Sequence, residues 1–257
     1  MLKLELKPEI ASAYRSMPQR ARVPTENWVQ ENLYCPACAS DELSPTLTGR
    51  KVVDFVCPDC QEEYQLKSQS HPYGYHVMNS AYEPKMKAIR AGTAPNYLFL
   101  QYDKKSFYMS NLFLVPKYFM TESVIEKWKL LREYARRSGW VGSNILLGEL
   151  PTDARIHIIK NGYEMPKNTV RYSWKRFSFL LGKSSLSRGW LTDVLAYIRK
   201  LDQETFTLDQ VYTFENQLAK LHPRNRHIRP KIRQQLQVLR DQKVIRFLGK
   251  GVYKFRI

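Results

Sequence analysis

Asp54, Gln65 and Lys67 place a carboxylate, an amide carbonyl and an amine within fourteen consecutive positions of a 257-residue chain. Hard divalent cations such as Mg²⁺ take oxygen ligands and keep several waters. A lysine beside such an ion orients a water and holds the charge that develops on a phosphate. The chemistry these residue types allow is therefore Mg²⁺-dependent phosphodiester hydrolysis, with Asp54 and Gln65 as metal ligands and Glu63 as a further candidate oxygen donor. The same residues also fit a surface hairpin with solvated charges. A second constellation surrounds them: Cys35, Cys38, Cys57 and Cys60 are spaced C-x2-C-x18-C-x2-C. Two such turns offer four thiolates to one tetrahedral zinc ion. A four-cysteine site is closed, so this zinc is expected to be structural. Two redox pairs are the competing reading.

The elements that must position these groups are short. Val52–Val56 and Tyr64–Ser68 read as strands, and the second Cys-x-x-Cys turn joins them. Side chains alternate along a strand, so Glu63, Gln65 and Lys67 share a face. Zinc in the joining turn would then fix the geometry around Asp54. The arrangement resembles the PD-(D/E)XK nuclease core. Around it the sequence predicts helices over Lys7–Met17, Thr25–Asn32 (N-capped by Thr25), Val77–Arg90 and Ser123–Arg137. It predicts further strands over Tyr97–Tyr102, Asn111–Pro116 and Arg155–Ile159.

The formal net charge is +17. Such a balance favours a polyanion bound through phosphate contacts. Pro223–Ile257 holds eleven Lys and Arg and one acid, Asp241, a net +10 concentrated in one terminal unit. There, apolar residues mark three helices: Trp190 to Leu201, Leu208 to Leu221, and Ile228 to Leu239 with Pro230 in its first turn. Two strands around Gly249-Lys250-Gly251 follow. Three helices and a basic hairpin make a winged helix, with Lys231, Arg233, Gln234, Gln237 and Arg240 on the free side of the third helix and Lys250 in the wing. Arg and Gln are side chains that read guanine and adenine edges. Upstream, Arg132, Arg136 and Arg137 precede Trp140, which is flanked by Gly139 and Gly142. An aromatic in such a segment stacks on a base or touches a methyl group, or else is buried in a core. No stretch reaches the length of a membrane span, and the start of the chain lacks a signal-peptide pattern. Paired cysteines suit a reducing compartment. These features predict a cytoplasmic protein that acts without a membrane, as a monomer in solution.

Taken in order, Cys-Pro-x-Cys, Asp54, Cys-x-x-Cys, Leu66-Lys67-Ser68, Ala135-Arg-Arg-Ser-Gly-Trp140, Lys183-Ser-Ser-Leu-Ser and Lys231-Ile-Arg-Gln-Gln-Leu-Gln-Val-Leu-Arg-Asp241 resemble the DpnI-like family of methyl-directed type II restriction endonucleases over nearly the whole chain. The resemblance implies an α/β (α+β) PD-(D/E)XK endonuclease domain with a four-cysteine zinc site over 1–182, a linker over 183–188, and a winged-helix (helix-turn-helix variant) DNA-binding domain over 189–257. It implies Mg²⁺-dependent double-strand cleavage at GATC sites bearing N6-methyladenine. The partner is double-stranded adenine-methylated DNA, and Trp140 stands where the family's methyl-contacting tryptophan stands. One departure is plain: the family has glutamate where this chain has Gln65. The competing functions are a non-catalytic zinc-ribbon and winged-helix regulator, for which Gln65 marks an inactive site, and a nuclease of the same fold with another methylation or sequence preference.

Overall fold

The computed structural model describes residues 2–46, 53–130 and 139–256. The chain folds as two compact units that interleave along the sequence. One holds 1–74, 93–120 and 153–181, and the other holds 75–92, 121–152 and 182–257.

The first unit is built on a seven-stranded sheet. Its order is Ser44–Pro45, Phe55–Val56, Glu63–Gln69, Asn96–Tyr102, Met109–Val115, Ile156–Lys160 and Tyr163–Glu164. Among the described strands only Glu63–Gln69 and Asn96–Tyr102 run parallel, with Lys67 opposite Phe99. Asn96–Tyr102 is central, and Tyr97, Leu98, Phe99 and Leu100 are all fully buried. A continuous apolar run of this kind is what a strand covered on both faces requires. Tyr73 meets Phe99 and Phe113 edge-on at 5.2 and 5.7 Å, and these two rings stack at 4.9 Å. Helix Met17–Asn32 packs on Glu63–Gln69, and helix Lys167–Arg176 packs on Ile156–Lys160.

Helix Met17–Asn32 corrects the sequence reading at this end. Its N-cap is Ser16, with a proline in the first turn, and only Pro8–Ala11 of the segment before it is helical, as a 3₁₀ turn. Thr25 lies mid-helix, where its Oγ1 is 2.9 Å from the Arg22 carbonyl oxygen and 3.1 Å from Ser68 Oγ. A hydroxyl that can bond within its own helix and across to a strand has no need to serve as a cap.

The second unit contains a three-stranded sheet in the order His76–Ala81, Gly142–Leu146, Ile125–Lys127. Two predicted helices are thereby corrected. Val77–Ala81 is strand, and the helix is Tyr82–Ala91, closed by Gly92 at φ 72°. Ile125–Lys127 is strand, paired with Gly142–Leu146, while the rest of that predicted helix lies partly outside the described residues. The carboxy-terminal part is a winged helix. Its helices are Ser185–Lys200, the pair Leu208–Tyr212 and Glu215–Leu221, and Ile228–Asp241. Its sheet has the order Thr205–Thr207, Val252–Phe255, Ile245–Gly249. The run 183–188 supplies an N-cap, Ser184, and the first turn of the Ser185 helix. Leu208–Tyr212 opens on a capping box in which Thr207 and Gln210 satisfy each other's backbone N–H groups. Among the described residues no helix is long and apolar enough to cross a membrane.

Candidate active site and metal centre

Phe55–Val56 and Glu63–Gln69 pair antiparallel through Phe55↔Tyr64 and Val56↔Glu63. Asp54, just before the first strand, donates its N–H to the Tyr64 carbonyl at 2.9 Å. Its carboxylate Oδ2 accepts the Leu66 N–H at 2.7 Å. That bond turns the Asp54 side chain toward the middle of the Glu63–Gln69 strand, where Gln65 and Lys67 project. Burial pushes the Asp54 carboxyl up, against the opposing pull of the Leu66 N–H, Lys67 and Arg22. Burial also pulls the Lys67 ammonium down to about 8, with Asp54 resisting. Glu26, one helical turn past Arg22, has its carboxyl raised by burial and by Asp54, with Arg22 opposing. The first helix thus adds one charge of each sign to the field at Asp54, and the strand pattern around Asp54 signals neither.

Gln65 carries the most telling detail. Its Oε1 is buried and has no hydrogen-bond partner among the described residues. An unsatisfied buried carbonyl costs free energy unless something supplies a positive partner. A divalent cation shared with Asp54 would do so, and the donor set, one carboxylate and one amide oxygen, fits a hard cation that keeps waters. Glu63 shares the face of Gln65 by alternation, but it pairs with Val56, two residues beyond Asp54. At about 3.4 Å per residue that places Glu63 about 7 Å along the strand from the Asp54 level. Gln65 is the side chain beside Asp54.

The four cysteines converge. Their Sγ atoms lie within 4.8 Å of one another. Cys35 and Cys60 are 3.7 Å apart, and Cys38 and Cys57 are 3.5 Å apart. These separations are far too long for disulfides. A tetrahedron with metal–sulfur bonds of about 2.3 Å has edges of about 3.8 Å, so the cluster could hold a metal ion such as zinc. Burial pushes the Cys35 thiol up to about 11. Burial also acts on Cys57, but the N–H groups of Cys60 and Asp59 and the neighbouring thiols outweigh it and bring this thiol down to about 7.

Two residues that tie this cluster in place had no signal in the pattern of cysteines. Tyr64 points to the face opposite Gln65, is fully buried, and sets its hydroxyl 3.2 Å from Cys35 Sγ. Alternation along the strand predicts the face of Tyr64, though not its partner. Arg171, from the Lys167–Arg176 helix, donates to the carbonyls of Cys35 and Ser40 at 3.3 and 2.9 Å. Tyr64 thus joins the cluster to the strand that carries Gln65 and Lys67.

Residues 2–183 match the DpnI model, the Dam-replacing family, and residues 186–255 match the DpnI_C model, the Dam-replacing HTH domain. The chain belongs to the Dam-replacing family. Membership points to a restriction-nuclease type of function, and the HTH domain to DNA binding.

In the HTH domain of this family member, the Ile228–Asp241 helix buries Ile228, Ile232, Gln235, Leu236 and Leu239. Arg233, Gln234, Gln237 and Arg240 are exposed on the other side. Arg233 donates to the Tyr212 hydroxyl at 2.7 Å, and Arg240 pairs with its neighbour Asp241 at 3.0 Å. Lys231 departs from the predicted face: it is half-buried, with Nζ 6.0 Å from the Trp190 ring centre. At 100° per residue it falls on the flank of the helix, nearer the packed side. Lys250 is exposed at the wing tip with φ 47°, between two glycines that also have positive φ. Trp140, in the second unit, is half-buried. Arg132, Arg136 and Arg137 lie outside the described residues.

Proposed function

We propose that this protein is a methylation-dependent type II restriction endonuclease that makes Mg²⁺-dependent double-strand breaks in DNA at GATC sites containing N6-methyladenine. The observation that carries the reading is the orphaned Gln65 Oε1 beside the Asp54 carboxylate and Lys67, in a chain of the Dam-replacing family.

Asp54 and Gln65 hold the divalent cation, which when bound supplies Lewis-acid polarisation of the scissile phosphate. The Leu66 N–H fixes the Asp54 carboxylate so that it need not reorganise when the metal arrives. Lys67 orients the attacking water and, as the ammonium, steadies charge on the phosphate as the bond to the leaving oxygen breaks. The four cysteines hold zinc, and through Tyr64 that site holds the register of the strand beneath the active site. Arg233, Gln234, Gln237, Arg240 and Lys250 face DNA, with phosphate contacts supplying most of the affinity. Trp140 meets the methyl groups.

Asp54→Ala and Lys67→Ala test the assignment. Each should abolish cleavage of methylated plasmid while retaining binding to a methylated duplex, because affinity rests on the basic surface. Cleavage at wild-type rate by both variants rules out a nuclease site at these residues. Wild-type protein that binds methylated DNA but never cuts it favours the non-catalytic regulator.

A further inference from the structure

Trp140 does not stand alone. Its ring meets that of Trp128 edge to face, with centroids 5.8 Å apart and planes at 81°. Both indoles are half-buried, so neither is an ordinary core residue. The backbone brings them together. Ile125–Lys127 pairs with Gly142–Leu146, and one residue past its end Trp128 donates its N–H to the Gly142 carbonyl at 3.0 Å. Trp140 lies two residues before Gly142, where the partner strand begins. The two indoles therefore stand at the neck of the connection between these strands.

Gly142 is the floor on which they meet. A Cβ there would lie 2.6 Å from Trp128 Cε3, and 2.7 and 2.8 Å from Trp140 Cη2 and Cζ3. All three atoms belong to six-membered rings, so the benzo halves of both indoles converge on one bare Cα. Gly142 is buried and its φ is not positive. Close approach of the two rings, and not an unusual backbone conformation, is what calls for glycine here.

We infer that Trp128 is a positioning residue for methyl recognition: braced on Gly142, it holds the Trp140 indole in the orientation from which that ring meets the methyl group. The inference rests on the reading of Trp140 given above. An indole that must cover a small apolar group in the major groove gains from being fixed before DNA arrives, since a free ring loses rotamer freedom on binding. An edge-to-face partner supplies that restraint while leaving the rest of the Trp140 ring uncovered.

The test compares affinities for matched N6-methylated and unmethylated GATC duplexes at one fixed salt concentration. Wild type, Trp140→Ala, Trp128→Ala, Trp128→Phe and Gly142→Ala are measured together. Trp140→Ala should lower the methylated-to-unmethylated ratio about tenfold, through loss of contact with two methyl groups. Trp128→Ala and Gly142→Ala should lower it about three- to tenfold, the scale of one aromatic pair. Trp128→Phe, which keeps an aromatic edge, should recover most of the ratio. The inference is overturned if Trp140→Ala lowers the ratio while Trp128→Ala and Gly142→Ala leave it at the wild-type value. Should Trp128→Ala not fold, Gly142→Ala decides by the same criterion. If Trp140→Ala itself leaves the ratio unchanged, the methyl-reading role of Trp140 fails and the inference falls with it.

Discussion

Gln65→Leu should make the protein more stable and less active at once. The Gln65 Oε1 is buried without a hydrogen-bond partner among the described residues. Leaving such a group unsatisfied costs about 1–3 kcal/mol, and an apolar side chain of similar size removes the cost. For a chain of this size each kcal/mol moves the melting midpoint by about 2–4 °C, so Mg²⁺-free Gln65→Leu should melt about 2–12 °C above wild type. Divalent metal reverses the comparison. At a hundred times the dissociation constant, binding to the folded state contributes about 2.7 kcal/mol, and the variant should forfeit most of that. Differential scanning fluorimetry without added Mg²⁺ or Mn²⁺, zinc being retained, and across a Mn²⁺ or Mg²⁺ series reads both effects, and plasmid cleavage reads the loss of activity. A variant that melts below wild type without added Mg²⁺ or Mn²⁺ and still cuts with ordinary metal dependence would refute a ligand role for Gln65.

Four further outcomes follow. Gln65→Glu should retain cleavage and lower the Mg²⁺ concentration needed for half-maximal rate, because a carboxylate replaces a neutral donor; an unchanged requirement combined with inactivity of Glu63→Ala would move the role to Glu63. Chelation of the cysteine site, or Cys38→Ser, should unfold the region around Asp54, since structural zinc sites contribute about 10–16 kcal/mol in isolated peptides; Tyr64→Phe should ease zinc loss to a colorimetric chelator while leaving the fold intact, and equal release rates would remove Tyr64 from the site. Lys250→Ala should weaken binding evenly across sequences and reduce the slope of log K against log salt by about 1, whereas an unchanged slope would take the wing off the phosphate backbone.

The four cysteines were the most legible feature, because thiolate pairs at that spacing have few other uses. The central strands, Asn96–Tyr102 and Met109–Val115, were legible from the apolar runs 97–100 and 112–115 within them, and the Ile228–Asp241 helix as a regular periodicity. Elements with mixed signals were not. In Val77–Arg90 a short strand passes into a helix with no loop between, and Met78 is 70% exposed although it sits in an apolar stretch. Around Ile125 and Trp128 an apolar spacing of three imitates a helix, but strand pairing to Gly142–Leu146 wins. The site was half legible. Asp54, Gln65 and Lys67 lie close in sequence and could be grouped by strand alternation. The bond from Arg171 to the Cys35 carbonyl spans 136 positions, and the pairing of Trp128 with Trp140 depends on strand register. Neither leaves a trace in local composition.

The central claim is cutting that depends on adenine methylation, and one digestion tests it most directly. Purified full-length protein with Mg²⁺ is incubated with one plasmid prepared from hosts with and without GATC adenine methylation, and the products are separated on a gel. The account predicts discrete fragments, mapping to GATC sites, from the methylated plasmid alone, and none from either plasmid in EDTA. Equal fragmentation of the two plasmids, or an intact methylated plasmid in the presence of Mg²⁺, would contradict it.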